Sequence, residues 1–111
     1  MVEFTYNEYN ELDKYLQVCG WNREGCKVRW ESNISFGVYR PMPESIGISI
    51  SCAGMIKEIT PCVIHELTHR KQRYRVGLIP YYALLAVMRW RWEKEAINNE
   101  DESMKKLGLK F

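Results

Sequence analysis

The chain has 111 residues, of which 46% are hydrophobic, with 16 basic and 14 acidic side chains and a net charge of +2. This length predicts one small domain rather than a two-domain enzyme, the apolar content excludes a disordered chain, and the near-neutral charge predicts no strong attraction to nucleic acid. The opening Met1-Val2-Glu3-Phe4 does not resemble a secretory signal, and the longest apolar run, Leu78–Met88, is shorter than the ~20 residues of a membrane span. We therefore expect a cytoplasmic protein without a transmembrane segment.

The first half of the chain predicts one helix followed by a small antiparallel sheet. Apolar and aromatic residues recur at near-helical spacing over residues 4–18, and Gly20 would end that helix. Three later stretches have the alternating pattern of half-buried strands: Lys27–Glu31, Ile34–Tyr39 and Ser45–Ser51. A sheet of about three strands follows from them.

The second half predicts an antiparallel helical hairpin. Thr60-Pro61 is an N-cap followed by proline at the first helical position, and Gly77 supplies the left-handed residue after a helix that ends at about Val76. Pro80 opens a second helix that runs to about Asn98. Because so few residues join the two helices, we expect them to pack against each other.

These elements together predict one α+β domain with a zincin-like minimal core. Its parts are a sheet half at about 1–59, a metal-binding helical hairpin at about 60–98 and a charged tail at about 99–111. The apolar stretch Leu78–Met88 lies in the second hairpin helix. We expect it to be core with some contact in a homodimer, although a membrane-facing surface has the same composition.

Both histidines of the chain lie in the segment His65-Glu66-Leu67-Thr68-His69, inside the first hairpin helix. A spacing of four residues places the two imidazoles on one helix face, close enough to bind one tetrahedral metal ion. Glu66 is adjacent, where its carboxylate can reach a water on that metal. A catalytic zinc site needs a third protein ligand, and because the chain has no third histidine, carboxylates are to be considered for that position.

Register and packing favour Glu93 of the second hairpin helix as this carboxylate. At about 1.5 Å per residue, His65 lies roughly 16–17 Å before the end of its helix, and Glu93 lies roughly 19–20 Å along the returning helix. Alanines on the Glu93 face would let the helices approach closely. Glu95, whose face carries larger side chains, is the alternative ligand or an outer partner of the site.

The histidine segment followed by Glu93-Lys94-Glu95-Ala96 resembles the gluzincin-type metallopeptidases, and more closely the minimal H-E-x-x-H…E-x-E-A versions of phages and bacteria. The resemblance covers roughly residues 60–98, and Gln72 also stands where such proteins have it, as an outer partner or alternative ligand. It implies Zn²⁺ bound by two histidines and Glu93. The chain departs from the family at Ile97, where Asp or Asn is frequent.

Zinc-dependent peptide hydrolysis is the function that this pattern predicts. The zinc would hold a water and lower its pKa toward ~7, with Glu66 as general base and then as proton donor to the leaving amine. The resemblance also implies an edge strand that pairs with an extended peptide, for which Ser45–Ser51 is the candidate. The oxyanion needs a further donor, and the candidates are Tyr39, Tyr74, Tyr81, Tyr82 and Arg89.

Three other interpretations stay open from the sequence. Cys62 lies three residues before His65, and with Cys52 it would complete a closed structural Cys₂His₂ zinc site. Basic and aromatic residues interleave in Arg70–Arg75 and Arg89–Trp92, as in nucleic-acid-binding proteins, although a solvated helix face explains them equally well. A zinc-binding protein without activity, serving as an interaction or structural protein, is the third.

Overall fold

The computed structural model describes residues 2–109, with the backbone alone for Leu78, Ile79 and Tyr82. Within this range the chain forms an α+β domain of four strands and three α-helices, with a short 3₁₀ turn at Ile50–Cys52. The elements in chain order are β1 (Val2–Glu3), α1 (Tyr6–Val18), β2 (Lys27–Glu31), β3 (Gly37–Pro41), β4 (Glu44–Ser49), α2 (Ile56–Val76) and α3 (Leu78–Lys106). The predicted α+β class is confirmed.

The four strands form one mixed sheet in the order β1-β2-β4-β3. The strands β2 and β4 pair in parallel, whereas β1 and β3 pair antiparallel with their neighbours. The prediction of three antiparallel strands was therefore wrong in one pairing and lacked β1. Alternating apolar residues show which face of a strand is buried, but they carry no information about the neighbouring strand.

The strand predicted as an edge, Ser45–Ser51, lies inside the sheet. The part that forms a strand is β4, which is flanked by β2 on one side and β3 on the other. The remaining residues belong to the 3₁₀ turn. The free edge beyond it belongs to β3. Because the Ser49 N–H donates to the Phe36 carbonyl oxygen at 2.8 Å, antiparallel alternation turns the backbone N–H and C=O groups of Gly37 and Tyr39 outward.

The core lies between the helices and one face of the sheet. Helix α2 contacts α1, α3 and the strands β3 and β4, so it occupies the centre of the domain. Fully buried side chains come from α1, from the two central strands and from α2: Leu12, Leu16, Val28, Ile46, Ile48, Val63 and Ile64. The residues of α2 that bear the histidine segment are thus held by the main core.

Helix α2 begins earlier than predicted, at Ile56 rather than after Thr60. Ile56 and Ile59 are both buried in the core, which favours a helix through this segment. Thr60 does not cap the helix, because its hydroxyl donates to the Ile56 carbonyl oxygen at 2.8 Å, one turn back. Core burial here outweighs the local capping signal.

Helix α3 continues past the predicted stop at Asn98 and ends at Lys106. Asn99 does not end the helix, because its side-chain amide donates to the Thr68 hydroxyl of α2 at 3.1 Å. Most of the segment predicted as a charged tail is therefore helical and packed against α2, with Ser103 buried.

Most of the described side chains in the apolar stretch Leu78–Met88 lie outside the core, contrary to the prediction. Among its residues with described side chains, Tyr81 is buried, while the others are partly or fully exposed and Val87 reaches 74% exposure. The backbone leaves helical geometry at Met88, with φ −113° and ψ 20°, so that this stretch forms a separate arm of α3. Within residues 2–109, no helix is long and apolar enough to span a bilayer.

The sheet face opposite the helices contains an ion pair with a buried carboxylate, and this pair depends on a glycine. Glu31 is 6% exposed and pairs with Arg40, and a Cβ atom at Gly47 would overlap the Glu31 carboxylate. Gly47→Ala should lower the free energy of unfolding by about 1–3 kcal/mol, measured by urea denaturation. Ser45→Ala, on the same face of β4, is the control, and an equal loss in both variants would contradict this view of Gly47.

Candidate metal centre

Two histidines of α2 and one glutamate of α3 meet at a single point. The Glu93 carboxylate lies between the imidazoles, with Oε1 at 2.7 Å from His69 Nε2 and Oε2 at 3.1 Å from His65 Nε2. One ligand atom from each residue lies within 4.8 Å of the other two. Two imidazoles and a carboxylate at this spacing match the donor set of a catalytic zinc ion.

His65 is oriented from behind by Glu100, a residue that the sequence interpretation missed. Glu100 Oε1 lies 2.8 Å from His65 Nδ1, so a protonated Nδ1 donates to the carboxylate and Nε2 keeps its lone pair for a metal. This hydrogen bond is the main cause that raises the pKa of His65. The sequence pattern that could have identified Glu100 is its spacing of seven residues, or two helical turns, from Glu93. This spacing places both residues on one helix face only if α3 continues past Asn99.

His69 is oriented by Gln72, which is fully buried. The Gln72 amide nitrogen donates to the Trp92 carbonyl oxygen at 3.0 Å and to Glu95 Oε1 at 2.9 Å. Both amide hydrogens are thus used, and Gln72 Oε1 is left to accept from His69 Nδ1 at 2.8 Å. Here too Nε2 of the histidine is the nitrogen that faces Glu93.

Glu95 lies behind this histidine rather than beside Glu93. One of its oxygens accepts from Gln72 and the other from Arg75 at 3.3 Å. The Gln72 hydrogen bond, followed by Arg75, holds the pKa of Glu95 below its usual value. The sequence offered two carboxylates as the third ligand. In the structure Glu93 lies against the two histidines, whereas Glu95 contacts Gln72, the partner of His69.

Glu66 is buried next to the histidines and faces a cavity of about 350 Å³. Burial raises the pKa of the Glu66 carboxyl above its usual value, although the neighbouring histidines oppose this effect. A carboxylate with a raised pKa is a stronger base, as proton abstraction near neutral pH requires. The cavity is also lined by Phe36, Gly37 and Glu100.

A second, mostly apolar cavity of about 230 Å³ adjoins the first. The two share Phe36, Cys62 and Glu100. Further residues that line it come from β4, the 3₁₀ turn, the residue before α2, α2 itself and α3: Ile48, Cys52, Met55, Ile59 and Met104. An apolar side chain of a bound molecule would fit this shape and chemistry.

The cysteines do not join the histidines in a closed zinc site. Within residues 2–109, the group able to hold a metal consists of His65, His69 and Glu93. The Cys62 thiol packs instead beside Gly37, and burial is the main cause that raises its pKa to about 12. Because neither Cys52 nor Cys62 belongs to that group, the predicted Cys₂His₂ alternative is not formed.

The residues predicted as oxyanion donors lie on different elements of the fold. The Tyr39 hydroxyl donates to Glu44 at 2.9 Å, and the Tyr74 ring lies beneath the guanidinium groups of Arg70 and Arg73. Two others lie on α3, where Tyr81 stacks on Trp92 and Arg89 is exposed. The side chain of Tyr82 lies outside the described residues.

The difference between the two candidate carboxylates is directly testable. Glu93→Ala should remove a ligand and abolish tight zinc binding, whereas Glu95→Ala, which removes only a partner of Gln72, should weaken it by about tenfold or less. Competition with a chromophoric chelator measures both affinities. A larger loss for Glu95→Ala would show that the ligand has been misassigned.

Because Glu100 orients His65, we expect its removal to weaken zinc binding, but less than the removal of a ligand does. Glu100→Ala should keep one zinc per chain but weaken its binding by about 10–100-fold, because His65 loses the group that fixes its ring. Glu102→Ala, two residues later and exposed, is the matched control and should leave the affinity unchanged. Equal affinities for Glu100→Ala and the unmodified protein would refute the role.

Comparison of the chain with protein-family models, with curated proteins and with solved structures finds no match. The resemblance to gluzincin-type metallopeptidases therefore stays a prediction from the sequence motif. The geometry described above concerns the chain's own residues and is independent of that resemblance.

Proposed function

We propose that this chain is a small zinc-dependent metallopeptidase with a zincin-like minimal core. The observation that carries the proposal is the convergence of His65, His69 and Glu93 beside the buried carboxylate of Glu66. Both histidines also have their second nitrogen engaged by a hydrogen-bonding partner. Outer partners of this kind are typical of metal-binding histidines and fix the tautomer that a metal requires.

The residues present fit a zinc ion, since imidazole and carboxylate are its usual ligands in hydrolases. When bound, Zn²⁺ supplies Lewis acidity that polarises a carbonyl and acidifies a water molecule. Glu66 takes the proton from the attacking water and delivers it to the leaving amine. Glu100 and Gln72 hold the two imidazoles in place, so that little reorganisation is needed when the reaction begins.

An extended peptide along β3 is the substrate that suits the surroundings. The outward backbone groups of Gly37 and Tyr39 offer hydrogen bonds to one more strand, and Gly37 lines the cavity that contains His65 and Glu66. The edge for the peptide is therefore β3 and not Ser45–Ser51. The adjoining apolar cavity favours a substrate with an apolar side chain next to the cleaved bond.

Glu66→Gln separates catalysis from metal binding. The amide keeps the size of the carboxylate but cannot accept the proton, so zinc content should be unchanged while hydrolysis falls by at least about 100-fold. A peptide library made from a digested bacterial proteome serves as substrate, with new termini counted by mass spectrometry. Glu11→Gln, at an exposed position of α1 away from both cavities, is the control.

Two results would contradict the proposal. Hydrolysis that survives Glu66→Gln would remove this residue from the role of general base. Stoichiometric zinc with no cleavage of any peptide or unfolded protein would favour the non-catalytic zinc protein instead.

A further inference from the structure

The apolar arm of α3, residues 78–88, presents an unusual surface to solvent. Among the described side chains of the arm, the exposed positions lie on one helix face and continue into Trp90: Pro80, Ala83, Ala86, Val87 and Trp90. All five are apolar, and the two largest, Val87 and Trp90, are 74% and 69% exposed. An amphipathic helix normally turns such a stripe toward the core, whereas this one turns it outward.

The arm is fixed in this orientation by a contact on its other side. The Tyr81 ring stacks on Trp92 with 5.3 Å between ring centres, and both residues are buried. In a straight helix, Cα atoms eleven residues apart are separated by roughly 16 Å, so the stacking depends on the bend at Met88. The outward stripe is therefore a feature of the folded arm.

Basic side chains are concentrated in the segment that contains the arm. Residues 70–92 contain six of the 16 basic side chains and none of the 14 acidic ones. The rest of the chain has ten basic and 14 acidic side chains and so a net charge of −4. Arg89 and Arg91 are exposed on either side of Trp90. Arg70 and Arg75 pair with glutamates from outside this segment, so the near-neutral total conceals an end of the molecule with a moderate excess of positive charge.

We propose that this end of the molecule binds the surface of a membrane rich in anionic lipid. Apolar side chains that enter the acyl boundary, a tryptophan at the level of the headgroups and arginines that contact lipid phosphates are the combination that such surfaces bind. The arm lies parallel to the bilayer and does not cross it. This inference does not depend on the metal centre or on hydrolysis.

Two other occupants fit the surface less well. A symmetric dimer would bring two such basic ends together, and their like charges would repel. Single-stranded nucleic acid needs several exposed rings for base stacking, but the stripe contains one aromatic ring, Trp90, and its other members are small aliphatic side chains and proline. Tyr81 and Trp92 bury their rings against each other. An apolar and anionic surface matches both the stripe and its charged border.

Vesicle sedimentation with the full chain tests the proposal. The protein should bind vesicles of phosphatidylcholine containing 30% phosphatidylglycerol and bind pure phosphatidylcholine vesicles at least about tenfold more weakly. Val87→Asp places a charge in the middle of the stripe and should reduce binding to the anionic vesicles at least about tenfold. Replacing Arg89 and Arg91 by Gln should weaken binding by about fivefold per residue at low salt.

The chain offers a matched control for the aspartate variant. Val18 of α1 is also exposed, at 57%, and lies outside the basic segment, so Val18→Asp should bind vesicles as the unmodified protein does. Circular dichroism and zinc content of both variants verify that the fold is retained.

Three outcomes would overturn the proposal. They are no binding to anionic vesicles, equal binding by Val87→Asp, and a concentration-dependent dimer that Val87→Asp dissociates in the absence of lipid. Tighter binding of a single-stranded oligonucleotide, unaffected by Val87→Asp, would likewise assign the basic end to nucleic acid.

Discussion

A single buried amide fixes how the two long helices stand against each other. Gln72 is fully buried in α2, yet it donates two hydrogen bonds to α3 and accepts one from His69. Leaving any of these groups without a partner in the core would cost about 1–3 kcal/mol. A shift of either helix along the other would break both bonds to α3 together, and the position of Glu93 between the histidines depends on that register.

The same register is maintained further along the hairpin by polar contacts that also serve the candidate centre. Asn99 of α3 donates to Thr68 of α2, and Glu100 follows immediately to meet His65. A polar network between helices usually costs desolvation energy unless every member is satisfied. Here the network defines one alignment of the two helices, and that alignment brings the candidate metal ligands together.

Local patterns in the sequence predicted much of the centre, because its geometry is helical. A spacing of four residues and a fixed rise per residue were sufficient to place His65, His69 and Glu93 near one another. The sheet order was not predictable in this way, since alternation gives a buried face but no neighbour. Glu100 was missed because Asn98-Asn99 was interpreted as a helix stop, although contacts with α2 stabilise the helix through it.

The apolar arm was misplaced for a related reason. Its composition indicates burial, and only the bend at Met88 reveals that most of it stays outside the core. The two ends of the hairpin consequently have different characters. One contains the candidate metal centre beside a strand edge, and the other is basic and apolar, so that the proposed hydrolysis and the proposed membrane attachment are separate in space.

Metal content per chain tests the central claim most directly. Elemental analysis of protein purified without added zinc, alongside the variant His65→Ala, measures it without any knowledge of the substrate. We expect close to one zinc per chain in the unmodified protein and none in the variant, because two ligands alone do not hold a catalytic zinc. No zinc after reconstitution, or equal zinc in both proteins, would contradict the account.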